Sequence, residues 1–204
     1  MKRSILGIFF IIAAMPAFGY EYGTARDTYV GMRIHKNENI AFASEISDGD
    51  THTARDDSFG IGLIVGNRLT DHVKIEFETS YTGGSDTKYG SEYDFDIWSN
   101  MLNVYVYQQF GGAVEPYVGM GIGVSGLWGD VHGGGLSASD ATADMSWSAM
   151  VGVNFALNAR IDLNLGLKYQ NYGDVDMKNA NGGHISTEID ATEIYIGGAY
   201  KFGL

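Results

Sequence analysis

A chain of 204 residues without cysteine excludes disulfides, thiolate metal sites, cysteine nucleophiles and lipid attachment at a cysteine. Its 25 acidic against 13 basic side chains disfavour nucleic acid as a partner, because phosphate binding needs a basic patch. The 29 glycines and 2 prolines, without low-complexity repeats, suggest many closely approaching strands in one domain.

At the N-terminus Met1-Lys2-Arg3 is basic, Ser4 to Met15 is apolar, and Ala17-Phe18-Gly19 puts small residues at the two positions a signal peptidase reads. Residues 1–19 are therefore expected to be a secretory signal peptide cut before Tyr20, with 20–204 as the mature domain. Its apolar core is too short for an anchor, and no later stretch approaches the ~20 apolar residues of a membrane helix. Loss of Lys2 and Arg3 leaves 11 basic against 25 acidic residues, a net of −14.

From Asp27 the chain alternates with period two, the mark of strands with two unlike faces. The first segment sets Val30, Met32 and Ile34 against Gly31, Arg33 and His35; the second sets Ile61, Leu63 and Val65 against Gly60, Gly62 and Gly66. The third opposes Val73, Ile75, Phe77, Thr79 and Tyr81 to Lys74, Glu76, Glu78 and Ser80. In the fourth, Leu102, Val104, Val106 and Phe110 face away from Asn103, Tyr105, Tyr107 and Gln109, and in the fifth Val118, Met120, Ile122 and Val124 from glycines and Tyr117. The sixth has Trp147, Ala149, Val151, Val153 and Phe155 outward, and the seventh Ile161, Leu163, Leu165, Leu167 and Tyr169. The eighth runs to the last residue, with Ile194, Ile196, Gly198, Tyr200, Phe202 and Leu204 opposite Glu193, Tyr195, Gly197, Ala199, Lys201 and Gly203.

The connections alternate in length. Asn67 to His72, Gly111 to Glu115 and Leu157 to Arg160 are tight, whereas His35 to Ser58, Thr82 to Ser99, Trp128 to Asp144 and Asn171 to Ser186 are long, polar and expected to be loops. Eight strands wired this way predict an all-β fold, an eight-stranded antiparallel up-and-down transmembrane β-barrel. Outward aromatics should then form two girdles at headgroup level: Phe110, Phe155, Tyr200 and Phe202 by the short turns, and Tyr81, Trp147 and Tyr169 by the long loops.

The closing strand resembles the C-terminal strand of bacterial outer-membrane barrels, which the barrel assembly machinery reads as an insertion signal. Tyr200, Phe202 and Leu204 would carry that signal here, with Leu where Phe is usual. The whole mature chain resembles the small eight-stranded outer-membrane proteins: the opacity type, the membrane domain of outer-membrane protein A, and related barrels of adhesion and serum resistance. The resemblance implies the outer membrane of a Gram-negative bacterium, contact with its lipid and lipopolysaccharide, and surface loops open to a host or cell-surface ligand. It implies no cofactor and no particular ligand.

An eight-stranded barrel is just wide enough inside for its own side chains. The inward charges Arg33, Lys74, Glu76, Glu78, Asp162, Lys168, Glu193 and Lys201 should therefore pair, since isolated charges in a low-dielectric enclosure are costly. Antiparallel register suggests Lys168 with Glu193 and Asp162 with Lys201, and lets Arg33 reach Glu193. Such a network would plug the lumen; the rival reading of the same charges is a narrow channel for small solutes or protons.

Other motifs weigh less. Gly121-Ile122-Gly123-Val124-Ser125-Gly126 fits the dinucleotide pattern GxGxxG, but its glycines read as the inner face of a strand with no helix after them. His184-Ile185-Ser186 with Glu188 or Glu193 resembles the His-x-Ser pair of lipid A deacylase barrels, yet falls at a loop-to-strand junction with the acids on the same strand. Acidic loop residues such as Asp48, Asp50, Asp56, Asp57, Asp94, Asp96, Asp174 and Asp176 match no EF-hand spacing and read as a solvated surface that repels heparin-like polyanions. A soluble lipocalin-like barrel would reverse the faces. The expectation is a non-enzymatic surface barrel, with adhesion or envelope integrity as its role and no catalytic, metal or cofactor residues.

Overall fold

The structure, a computed structural model, describes residues 28–45, 51–54, 58–88, 91–110, 113–133, 136–178 and 184–202, with side chains described for 28–37, 58–84, 96–110, 113–128, 143–173 and 189–202. The expected signal peptide and Leu204 lie outside these residues. The elements are β1 (Thr28–Glu45), β2 (Thr51–Ala54), β3 (Ser58–Arg68), β4 (Val73–Lys88), β5 (Ser91–Tyr107), β6 (Val114–Gly133), β7 (Leu136–Ala156), β8 (Ile161–Lys178) and β9 (His184–Lys201).

Eight long strands pair antiparallel with their sequence neighbours, and β9 returns to β1, so the sheet closes on itself. The short β2 adds to the tip of β1 on the side that β3 takes lower down, because Phe42 to Ser44 already pair with β9 on the other side. No helix of the described residues is long and apolar enough to cross a membrane. Closure satisfies the backbone donors and acceptors between strands, as spanning a bilayer with strands requires.

The sheet is strongly sheared. Pairs traced once around run from Gly152 through Gly166, Tyr195, His35, Gly60, Thr82, Ile97 and Leu127 to Thr142, a stagger of ten residues (152 − 142). Shear and strand tilt are linked in a closed barrel. Side chains level with one another across the lumen therefore come from positions that are not ladder partners.

The alternation follows the expected parity. Leu163, Leu165, Ile194 and Ile196 are 40–55% exposed, whereas Glu76 and Lys168 are 1% and 3% exposed. Oily side chains thus face outward and ionised ones inward, the opposite of a lipocalin-like barrel. The short turns have local causes. Thr70 Oγ1 accepts from the amides of His72 and Val73, and Asn158 Oδ1 accepts from those of Arg160 and Ile161, side-chain bonds that hold a chain reversal.

The opposite ends correct the expectation of long loops. β4 and β5 stay paired out to Lys88–Ser91, β6 and β7 to Gly133–Leu136, and β8 and β9 to Lys178–His184. The segments expected as loops are mostly the outer parts of β-hairpins. In these segments the ladder pairing continues while the apolar alternation that betrays a strand stops.

Candidate functional site

The lumen is filled by side chains from all eight long strands. At its centre the Arg33 guanidinium lies between two carboxylates, with Nη1 2.5 Å from Glu76 Oε1 and 2.8 Å from Glu78 Oε2, and Nη2 3.1 Å from Glu76 Oε2. Its Nε donates to Asn164 Oδ1 at 3.3 Å, while the Tyr29 and Tyr105 hydroxyls donate to Glu76 at 3.1 and 2.9 Å. Arg33 is paired with Gly62 on β3 and Gly197 on β9. A Cβ on Gly197 would stand 2.8 Å from Arg33 Cγ, and one on Gly62 would stand 3.0 Å from both Glu78 and His35. Arg33 passes over Gly62 on the inner face of β3 to reach the acids of β4.

A second group adjoins it. Lys168 Nζ is 2.8 Å from Glu193 Oε2 and 3.9 Å from Glu78 Oε1. His35 lies between the same carboxylates, with Nδ1 3.0 Å from Glu193 and Nε2 3.0 Å from Glu78, the latter a close contact without hydrogen-bond alignment. The Tyr172 hydroxyl donates to Glu193 Oε1 at 2.6 Å. Tyr172 follows Lys168 and Gln170 on the inward parity of β8 and is the extra residue of a β-bulge between Asn171 and Gly173.

Lys74 is handled differently. Its ammonium has no carboxylate within ion-pair distance among the described residues and instead sits 4.9 Å from the ring centroids of Tyr105 and Tyr117 and 5.9 Å from that of Tyr29. Cation–π attraction is strengthened where water is excluded. The Tyr117 and Tyr195 hydroxyls are 2.6 Å apart, and Asn164 Nδ2 donates to Tyr117 at 2.9 Å and to Asn154 Oδ1 at 2.5 Å. Room for these rings comes from glycine. A Cβ on Gly119 would collide with the Tyr105 ring, and one on Gly152 with the Tyr117 ring.

The short-turn mouth carries a third cluster. Arg68 pairs with Glu115 at 2.7 Å and approaches Asp162 at 3.7 Å; Lys201 donates to Asp162 at 3.0 Å and Asn154 to Glu115 at 2.7 Å. These side chains and Gln109 line a cavity of about 90 Å³. Toward the opposite end, Ser99, Ser125 and Ser146 form a hydroxyl ladder at 2.7 Å spacings, and Ile97, Tyr172, Ile189 and Ala191 form an apolar cap with Leu127 against it.

The structure thus brings Lys168 to Glu193 and Lys201 to Asp162, but takes Arg33 to Glu76 and Glu78 instead of Glu193 and leaves Lys74 to aromatic rings. Reading by ladder neighbours missed both outcomes, since shear and the glycine face of β3 set which charges are level. Arg68 and Glu115 were missed as lumen residues because they fall in segments read as turns, although each continues the inward parity of its strand. His35 is on the inward parity but was not among the expected network charges, and Tyr172 continues the inward parity of Lys168 and Gln170 within a segment expected as a loop.

The aromatics assigned to girdles, Tyr81, Phe110, Trp147, Phe155, Tyr169, Tyr200 and Phe202, are 37–62% exposed. Trp147 stacks near Tyr169 at 5.4 Å and Tyr200 near Phe202 at 5.2 Å, at opposite ends of the barrel. Trp98 joins the first ring edge-on to Tyr81 at 6.5 Å; it lies in a segment expected as loop. Gly121 and Gly123 lie within β6, and the strand runs on to Gly133. His184 is at the hairpin tip of β9, paired with Lys178 and ten residues beyond Ile194, the nearest of the apolar outward positions of that strand.

The sequence profile of the family described as outer membrane protein beta-barrel domain matches residues 6–202. The chain belongs to this family. Among solved structures this outer-membrane barrel is similar to neisserial surface protein A, with 18% identity over 86% of this chain and 97% of that one and a TM-score of 0.62. It is similar to OprG from Pseudomonas aeruginosa, with 15% identity over 89% and 97% and a TM-score of 0.65. It also resembles Ail, the attachment invasion locus protein of Yersinia pestis, solved with the heparin analogue sucrose octasulfate, with 10% identity over 88% and 100% and a TM-score of 0.55. At these identities the likeness is one of fold. No curated protein sequence matches the chain.

Proposed function

We propose that this outer-membrane barrel is closed to solutes and non-enzymatic, and that its outer hairpins perform recognition in adhesion or envelope integrity. The observation that carries the reading is the lumen: charges and tyrosines, each 6% exposed or less at its centre, occupy the space a solute would need. A narrow channel would have to break the Arg33–Glu76–Glu78 contacts. Purified protein in planar bilayers is expected to give no steady, reproducible openings; such openings would overturn the plug.

A lipid A-modifying enzyme is disfavoured by where the chain carries its His184 and Ser186, at a hairpin tip away from the lipid-facing band. Mass spectrometry of lipid A should be indifferent to Ser186→Ala. The partners in this reading are outer-membrane lipid and lipopolysaccharide around the band, the barrel assembly machinery through Tyr200, Phe202 and Leu204, and a host or cell-surface ligand at the hairpins. Ail is solved with a heparin analogue. For this chain the acidic hairpins oppose a polyanion. Export with cleavage before Tyr20 is checked by N-terminal sequencing of the protein recovered from outer membranes.

A further inference from the structure

The turn between β7 and β8 ends on a cation that faces away from the lumen. Arg68 and Lys201, at the same end of the barrel, turn into the mouth, where Glu115 and Asp162 pair with them. Arg160 is exposed, no described carboxylate lies within ion-pair distance of it, and its Nη1 donates to the Tyr200 hydroxyl at 3.3 Å. Tyr200 is on the outward parity of β9, so the guanidinium lies beside the lipid-facing girdle.

The backbone fixes its place. The Arg160 amide donates to Asn158 Oδ1 at 2.8 Å and its carbonyl accepts from the Lys201 amide at 2.8 Å, which ties the turn to the end of β9. The Tyr200 ring is held edge-on by Phe202. Tyr200 accepts from Arg160 and keeps its own proton to donate, so the two side chains offer guanidinium N–H donors and an O–H donor to one anion. Donors held in place beforehand lose less entropy on binding.

A recess adjoins these donors. Gly198 stands two residues along β9 from Tyr200, about 7 Å toward the middle of the bilayer. It is on the outward parity, and its ladder partners are Met32 on β1 and Leu163 on β8. Glycines elsewhere in the wall make room for the protein itself: a Cβ on Gly31, Gly119, Gly152 or Gly197 would meet other atoms of the chain within 2.6 Å. At Gly198 the nearest atom is the Asp162 carbonyl oxygen, 4.0 Å away. The space this glycine leaves opens to lipid. Met32, Leu163, Ile196 and Tyr200, each 39–55% exposed, stand around it as the sides of a shallow groove.

Charge and depth name the occupant. The short turns of an outer-membrane barrel face the periplasm, so the headgroups level with Arg160 belong to the periplasmic leaflet and lipopolysaccharide lies at the other girdle. A basic side chain at the membrane surface attracts anionic lipid. We infer that Arg160, Tyr200 and the recess at Gly198 form a seat for an anionic glycerophospholipid of the periplasmic leaflet, with its phosphate on the guanidinium and hydroxyl and an acyl chain along the recess. An ethanolamine headgroup is less favoured, because its ammonium would find no carboxylate beside Arg160. This rests on the reading of membrane lipid as a partner around the band, and names one lipid class, its leaflet and its seat.

The test uses the folded mature protein in detergent, with dioleoyl phosphatidylglycerol titrated in and the retained lipid counted by native mass spectrometry. The unaltered barrel is expected to retain a single phosphatidylglycerol about fivefold more tightly than dioleoyl phosphatidylethanolamine or lipid A. R160Q should lose that preference, and R160K should keep most of it. Y200F keeps the ring, removes the hydroxyl donor and should weaken phosphatidylglycerol about threefold, which provides a second variant should R160Q disturb the turn. G198L fills the recess with a side chain that points into lipid; it should weaken retention of both phospholipids about threefold and leave the headgroup preference in place. Heat-dependent gel mobility checks that each variant is folded. Equal retention of phosphatidylglycerol and phosphatidylethanolamine, tighter retention of lipid A, or retention unchanged in R160Q and Y200F or in G198L would overturn the seat. Such a failure would leave the plugged-barrel reading standing, since that reading fails separately through ion conduction. Membrane lipid as a partner fails separately too, with a protein recovered outside the membrane.

Discussion

The centre of the lumen and its short-turn mouth are made from the same kinds of pair, Arg33 with Glu76 and Glu78 in one and Arg68 with Glu115 in the other, but they differ in access to water. The central side chains are 1–2% exposed, while Arg68 keeps 15% exposure beside the cavity. A charge that loses its partner at the mouth can be rehydrated. At the centre it cannot, so the same deletion costs most where the pair is sealed. Burial, more than the number of contacts, therefore sets how far each pair commits the barrel to one packing.

The largest expected effect breaks the centre. Arg33→Met leaves Glu76 and Glu78 without their guanidinium and should cost about 3–5 kcal/mol, read as a lower urea midpoint in lipid vesicles. Adding Glu76→Gln and Glu78→Gln to that variant should restore part of the loss, because the stranded charges are then gone. A cation moved to the outer face sharpens the contrast between lumen and lipid: Leu165→Arg, mid-strand on β8, should cost about 2–4 kcal/mol in the same assay. Next comes the hydroxyl that Tyr172 brings to Glu193. Tyr172→Phe withdraws a donor from the buried Glu193 carboxylate, for about 1.5–3 kcal/mol. Smallest is Arg68→Met at the mouth, expected to cost about 1 kcal/mol or less, since water can replace the guanidinium beside Glu115. A loss at Arg68→Met as large as at Arg33→Met would end the distinction between sealed and open clusters.

Several features could be read directly from residue order. The parity of Val73 to Tyr81 separated Lys74, Glu76 and Glu78 from the lipid face because side chains alternate strictly along a strand. The pairs Lys168–Glu193 and Asp162–Lys201 were legible because β8 and β9 adjoin in sequence and share one hairpin register. Arg33 was not, since its partners lie two strands away and depend on the gap that Gly62 leaves on β3. Nor were Arg68 and Glu115, because strand ends blend into turns where apolar alternation lapses. The outer ladders of β4 to β9 were hidden for a related reason, because their sequences carry no apolar alternation.

Alternation with one oily face, short turns against long connections, and an acidic, cysteine-free composition already specify a strand-built membrane barrel with charges turned inward. These are properties of neighbouring residues, and local sterics with the contrast between hydrocarbon and water suffice to set them. Which charges meet, and where tyrosine rings replace a carboxylate around Lys74, were decided only when the sheet closed with its ten-residue stagger. Closure brings to one level residues far apart in the chain, and only their combined bulk settles which of them touch.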